Sequence, residues 1–297
     1  MKIGYPCLNN SVGCSSSSTF RLASYSEERL KTTVQNNLDC LEKILHFNIK
    51  ENLKFFRIGS GIVPFASHSC CNFDWRSSFE KQLENIGDLI KFGGMRISMH
   101  PDQFVVLNST KKNVVDSSIA EIEYHCAFID SLNLPPDAKI QIHLGGVYGD
   151  KPAALIRFID VVNSLSKHVR KRLVVENDDR LFDINDCLFV NRETALPVLF
   201  DSFHHLCNGG GVTMENALVG AASTWGKEDG IPMIDYSSQL PGGRCGSHIR
   251  SIDLNDFASF MGVVEKCKLD PDIMLEIKDK EASALIAQKW LKENRFL

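Results

Sequence analysis

The chain has 297 residues, 43% of them hydrophobic, and a formal net charge of −4 from 33 basic and 37 acidic side chains. That length and apolar content can bury a large core. No run approaches the ~20 apolar residues of a membrane span, and the mild acidity does not by itself announce a nucleic-acid binder.

The amino terminus, Met1-Lys-Ile-Gly-Tyr-Pro6, lacks the apolar stretch and small-residue cleavage site of a signal peptide. The ten cysteines include no C-x-x-C pair, so free thiols in a cytoplasmic protein are expected. The first apolar run, Lys2-Ile-Gly-Tyr5, is followed by a Ser-rich loop over 9–19. Ser24-Tyr-Ser-Glu27 fits a capping box and opens an amphipathic helix bearing Leu30, Val34, Leu38, Leu41, Ile44 and Leu45. After Phe55–Gly59 comes a loop over 60–73, and Asp74 can cap a helix bearing Phe79, Leu83, Ile86, Leu89 and Ile90. Met95–His100 leads into a loop over 101–112 and a helical pattern over 113–132. Ile140–His143 precedes a helix begun by Asp150, with Pro152 in the first turn, where its missing N–H costs nothing. Arg170-Lys171-Arg172 lies just before Leu173–Glu176 and reads as a solvated patch on the face opposite the strand ends. Val198–Asp201, Met233–Asp235 and Ile273–Glu276 complete eight runs, among helical patterns over 183–195, 213–222, 255–267 and 281–293.

Short continuous apolar runs mark buried parallel strands. Their alternation with helices predicts an α/β protein, a single-domain (β/α)8 TIM barrel spanning 1–297, with neither a linker nor an internal repeat. Loops after strands then form the functional rim. The loops 9–19, 60–73 and 101–112, the Gly209-Gly210-Gly211 turn and the stretch 224–250 are assigned to it. Six runs end in a possible metal ligand: His100, His143, Glu176, Asp201, Asp235 and Glu276. His204, three residues after Asp201, and His248 add two imidazoles, while His205 fits a supporting or loop role. His46, His125 and His168 fall within or at the ends of helices and read as surface or packing residues.

A lone strand-end histidine is more often structural, so the weight rests on convergence at one rim. Mixed imidazole and carboxylate sets suit zinc, manganese or iron, and four clustered carboxylates without cations would repel. So many ligands exceed one ion's need, so two or three divalent ions are expected. Such centres favour phosphate-ester hydrolysis, with two-metal sugar isomerases as the competing class. No nucleophilic triad, P-loop or dinucleotide fingerprint is present. Lys111, Lys112, Lys151, Arg180, Lys227, Arg244, Arg250, Lys278 and Lys280 recur after strand ends and offset the acidic rim.

The order of motifs resembles the UV damage endonuclease family, a relative of endonuclease IV among the barrels similar to xylose isomerase. The resemblance rests on Gly4-Tyr5-Pro6-Cys7, Phe56-Arg57-Ile58-Gly59, Pro64-Phe65-Ala66-Ser67-His68, Ser98-Met99-His100-Pro101, His143-Leu144-Gly145-Gly146, Glu176-Asn177-Asp178 and Glu276-Ile277-Lys278-Asp279-Lys280-Glu281. It implies a DNA repair enzyme that cuts the phosphodiester immediately 5′ to a photoproduct, leaving a 3′-hydroxyl and a 5′-phosphate, through metal-activated hydroxide. It implies about three divalent ions, with manganese favoured and zinc or magnesium as alternatives. Carried over by motif, His100, His143 and Glu176 hold one ion. Glu176, Asp201, Asp235 and Glu276 hold a second, and His204 with His248 a third; Glu176 and Glu276 are the expected catalytic residues. Gln103 and Phe104 match probe residues that wedge into the duplex, with Phe104 standing where the family usually has Tyr. Tyr5 and Asn9 match positions that contact the flipped-out dinucleotide, and Lys111, Lys112 and Lys151 are the expected phosphate contacts. The implied partner is damaged double-stranded DNA, for a monomer associated with the nucleoid and needing neither membrane nor obligate protein partner. One departure stands out: Met233-Ile-Asp235 replaces the family's common Lys-x-His. The alternatives are a sugar isomerase or epimerase on the same barrel, and a lesion-binding protein whose chemistry that replacement has weakened.

Overall fold

The computed structural model describes residues 1–296. Eight parallel strands close a barrel in chain order. They are β1 (Ile3–Pro6), β2 (Phe55–Gly59), β3 (Arg96–His100), β4 (Lys139–His143), β5 (Leu173–Glu176), β6 (Val198–Asp201), β7 (Met233–Tyr236) and β8 (Asp272–Leu275). The helices are α1 (Glu27–Lys50), α2 (Trp75–Ser78), α3 (Glu80–Phe92), α4 (Lys112–Ser131), α5 (Lys151–Ser164), α6 (Lys167–Arg172), α7 (Ile184–Thr194), α8 (Ser202–Cys207), α9 (Met214–Ala222), α10 (Leu254–Lys266) and α11 (Glu281–Glu293). The TIM barrel expected from the alternating pattern is the fold.

The barrel interior explains why the site is where it is. Side chains alternate across a strand, so residues two apart point to the same side. Phe55, Val174, Leu199, Met233 and Met274 form a separate apolar cluster, covered by Trp225. Each stands two residues before a polar residue: Arg57, Glu176, Asp201, Asp235 and Glu276. The apolar plug therefore lifts five polar side chains onto the rim above it. Gly4 belongs to the same packing, because a Cβ there would stand 2.0 Å from the Phe55 carbonyl oxygen. Beneath the plug, Arg96 pairs with Asp272 at 3.0 Å and Lys139 with Asp229 at 2.6 Å, closing the opposite end with neutralised charge.

Several local expectations are corrected. Ser26, not Ser24, caps α1: its hydroxyl accepts from the Arg29 amide at 3.2 Å, and Leu22–Ser24 is a 3-10 turn. Asp74 caps only the short α2, and the chain breaks at Phe79 before α3 begins. Asp150 caps α5 as expected. The 170–172 cluster is not wholly solvated. Arg172 is buried, donates to the carbonyl oxygens of Leu134, Pro135 and Ala138, and pairs with Asp130 at 2.8 Å. Lys227 lies before β7, beside Asp229, and so belongs to the opposite face rather than the rim. Cys14 and Cys40 form a disulfide that ties the loop after β1 to α1, against the expectation of free thiols throughout. Among the described residues, no helix is long and apolar enough to cross a membrane.

Candidate metal centre

Strand register sets the ligands side by side. His143 pairs with Glu176, Asp201 with Asp235, and Gly59 with His100. Three groups bring ligand atoms within 4.8 Å of one another: His100, His143 and Glu176; Glu176, Asp201 and His204; and Asp201, Asp235 and Glu276. Glu176 and Asp201 each belong to two of them, so the groups form one continuous centre. His204 and His248 do not make a group of their own; their rings are 6.4 Å apart. His204 instead sits with Glu176 and Asp201, while His248 reaches Glu276 at 3.9 Å. Asn177 locks the β5 and β6 ends together: its side chain exchanges two 2.9 Å hydrogen bonds with the Asp201 backbone.

The imidazoles are set as ligands should be. The Nδ1 of His100 donates to the Pro101 carbonyl oxygen at 2.9 Å, that of His204 to Asn177 at 2.9 Å, and that of His248 to Glu276 at 2.8 Å. A carbonyl can only accept, so Nδ1 carries a hydrogen in each ring and Nε2 is the nitrogen left to face a cation, the arrangement metal sites use; at His204 the Nδ1 also lies 3.3 Å from Glu176 and from Asp201. The Nε2 atoms of His100 and His143 stand 3.5 and 3.9 Å from Glu176. These gaps exceed a hydrogen bond. They match two ligands of one ion, about 3.4 Å apart for bonds of about 2.1 Å at a tetrahedral angle. Asp235 Oδ1 and His143 Nδ1 are buried without a partner. The donor set therefore fits divalent ions.

Beneath the ligands runs a polar floor. Arg57, buried, binds Asp235 at 2.6 Å and also Glu276. Gln141 donates to Glu176 and to Asp235, each at 2.8 Å. One oxygen of each of these three carboxylates is held by the protein. The sequence reading passed over Arg57 and Gln141 as functional residues, although each lies on the inward face, Gln141 two residues before His143.

The electrostatics split the four acids. Burial pushes up both Asp201, to about 7, and Asp235, well above its usual range despite Arg57. Burial also acts on Glu276, but Arg57 and His248 together hold that carboxyl down at about 2. Glu176 is likewise held low by His143, His204 and His100 against the effect of burial. Burial lowers His100 to about 4, whereas Asp201 and Glu176 overcome burial at His204 and raise it to about 11. Without added cations the centre cannot keep all four acids ionised, and protons take their place.

Around the centre the other expected residues are divided. Phe104 is 51% exposed, and Gln103 lines a cavity of about 530 Å³ that reaches His100, His143 and His204. Tyr5 and Asn9 are both buried, in β1 and in the loop after it. The Tyr5 hydroxyl donates to Asn48 at 2.6 Å and accepts from Asn9 at 2.7 Å, and Asn9 also holds the Ser11 and Val12 amides. They shape the loop after β1. Lys111 is exposed, but Lys112 pairs with Asp116 at 2.7 Å and Lys151 with Asp186. His205 is buried and donates from Nε2 to the Val212 carbonyl, a supporting role as expected. Met233 lies in the plug beneath Asp235 and offers nothing to the centre.

With this geometry in place, the likeness to known proteins is specific. The family model for the UV-endonuclease UvdE matches residues 1–294. The UV DNA damage endonuclease of Clostridium perfringens (strain 13 / Type A) is 41% identical over 295 residues, covering 99% of this chain and 71% of the relative. The crystal structure of SacUVDE is 43% identical with a TM-score of 0.95, covering 100% of both chains. Endonuclease IV from Thermus thermophilus has a TM-score of 0.59 at 15% identity, covering 85% of this chain and 94% of that one, a likeness of fold alone.

Proposed function

The chain belongs to the UV-endonuclease UvdE family, and from that premise we propose that it incises damaged double-stranded DNA immediately 5′ to UV photoproducts and related lesions. The products would be a 3′-hydroxyl and a 5′-phosphate. His100, His143 and Glu176 would hold one divalent ion, Asp201, Asp235 and Glu276 a second, and Glu176, Asp201 and His204 a third, with His248 standing beside Glu276. Manganese is favoured, with zinc or magnesium as alternatives. Ions there supply Lewis acidity toward a phosphodiester and a more acidic water.

The protein's own part is orientation. Glu176 and Glu276 each keep one oxygen on the floor formed by Gln141 and Arg57, which fixes the direction of the other. Exposed Phe104, with Gln103 beside it, serves as the wedge, since an apolar side chain offsets unstacking at a damaged step. Lys111 serves as a phosphate contact on an exposed rim. The enzyme acts as a monomer in the cytoplasm, at the nucleoid.

The observation that carries this reading is the spacing of bare imidazole nitrogens from Glu176, too long for hydrogen bonds and right for shared ions. The deciding assay is incision of an end-labelled duplex holding one cyclobutane dimer, with manganese, magnesium, zinc or chelator. A single metal-dependent cut directly 5′ to the dimer is expected. Selective binding without a cut would mean an impaired lesion binder, and neither binding nor a cut by metal-loaded protein would overturn the reading.

A further inference from the structure

One exposed aromatic ring stands beside the metal centre without being part of it. Tyr148 is 48% exposed and lines the cavity of about 530 Å³ that His100, His143 and His204 also line, with Gln103, Arg180 and Leu181 among its other walls. An exposed ring is ordinary; the backbone and neighbours of this one are not. The Tyr148 backbone has φ +53°, a conformation that L residues rarely adopt and that tends to persist at functional sites. The ring lies against Gly146, where an added Cβ would meet its edge at 2.9 Å and push the ring aside. Gly146 is itself clamped by buried Asn108, whose side chain donates to the Gly146 carbonyl at 2.8 Å and accepts from its amide at 3.0 Å. The Arg157 guanidinium stands 5.6 Å from the ring centroid, and its Nε donates to the Asn108 carbonyl at 2.9 Å. Two neighbours tied to one asparagine thus flank the ring, on Gly146 and on the Arg157 guanidinium.

We propose that Tyr148 is a stacking platform for a nucleotide next to the scissile phosphate, a positioning residue for incision that acts on substrate rather than on the ions. The proposal rests on the endonuclease reading. Base–aromatic stacking tolerates any sequence because every base has a π-face. A fixed platform beside the ligands would hold the phosphate in register with them, where small misplacements are expensive.

Tyr148→Phe keeps the ring, whereas Tyr148→Leu keeps apolar cover over Gly146 without it. The phenylalanine variant should retain kcat/KM within about twofold, while the leucine variant loses about 5- to 150-fold at unchanged metal content and Tm. Independently of any variant, long-wavelength irradiation of wild-type protein on a duplex with 5-iodouracil at either nucleotide flanking the incision point should crosslink a peptide containing Tyr148. A leucine variant as active as wild type, a phenylalanine variant as weak as leucine, or crosslinks that avoid Tyr148 would each overturn the platform while leaving the endonuclease reading intact. Wild-type protein that neither binds nor cuts the duplex would bring down both.

Discussion

Glu176 is shared by two of the three ligand groups, so its loss should disarm both at once. Glu176→Ala is expected to abolish incision and lower the metal retained after dialysis, while lesion binding persists in part; retention of full metal content would contradict the bridging role. Arg57 acts from below. It stays protonated between Asp235 and Glu276, with Glu276 as its ionised partner. Arg57→Met leaves that partly exposed carboxylate without its cation, a loss of about 2 kcal/mol in chelator. Urea unfolding with and without manganese tests this, because added ions should restore part of the loss, and an unchanged midpoint in chelator would refute it. Away from the centre, His125 is fully buried within α4, and burial lowers its pKa from 6.5 to about 4. Its neutral form is the folded form, so its stability contribution is complete above pH 6.5. As pH falls from 6.5 toward 4 the unfolded chain takes up the proton first, removing about 3 kcal/mol. His125→Gln should flatten that part of the pH–stability curve, and parallel curves for the two proteins would count against it.

At the scale of elements, the strands were legible because buried parallel strands are short and apolar, and their polar last residues follow the alternation of the pleat. The same alternation, carried two residues back from His143 and from Gly59, points to Gln141 and Arg57, which a reading confined to strand-end ligands overlooks. Loops were less legible, since their hydrogen bonds depend on neighbours far along the chain. Tyr5 and Asn9 follow β1 in sequence, yet Asn48 of α1 draws the Tyr5 hydroxyl into the core and Asn9 follows it. The Cys14–Cys40 bridge was illegible for the same reason, as its partners come from a loop and a helix 26 residues apart. The loop after β3 keeps its expected exposure at Phe104. Phe104→Ala should narrow the ratio of lesion to undamaged binding toward one at unchanged metal content; a ratio equal to that of wild type would reassign the wedge.

For the whole molecule, the metal-free protein must keep four acids and three imidazoles close together on one rim, and protonation of Asp201 and Asp235 is the substitute it adopts. That substitute weakens as pH rises above about 7, where Asp201 gives up its proton. Ions that bind the folded rim and not the unfolded chain replace those protons and stabilise the barrel by mass action, about 2.7 kcal/mol at a hundredfold excess over Kd. A chain of this size should answer with a rise in Tm of several degrees. The rise should be larger at pH 8 than at pH 6, because the acids compete less with protons for the ions. Calorimetry of chelator-treated protein titrated with manganese at both pH values measures it directly. Asp235→Asn provides the internal control: the substitution keeps the buried shape but removes a candidate ligand oxygen, and should lower the metal-induced rise. Equal rises in the variant and the wild type would remove Asp235 from the ligand set and leave it as a hydrogen-bond partner of Arg57 and Gln141.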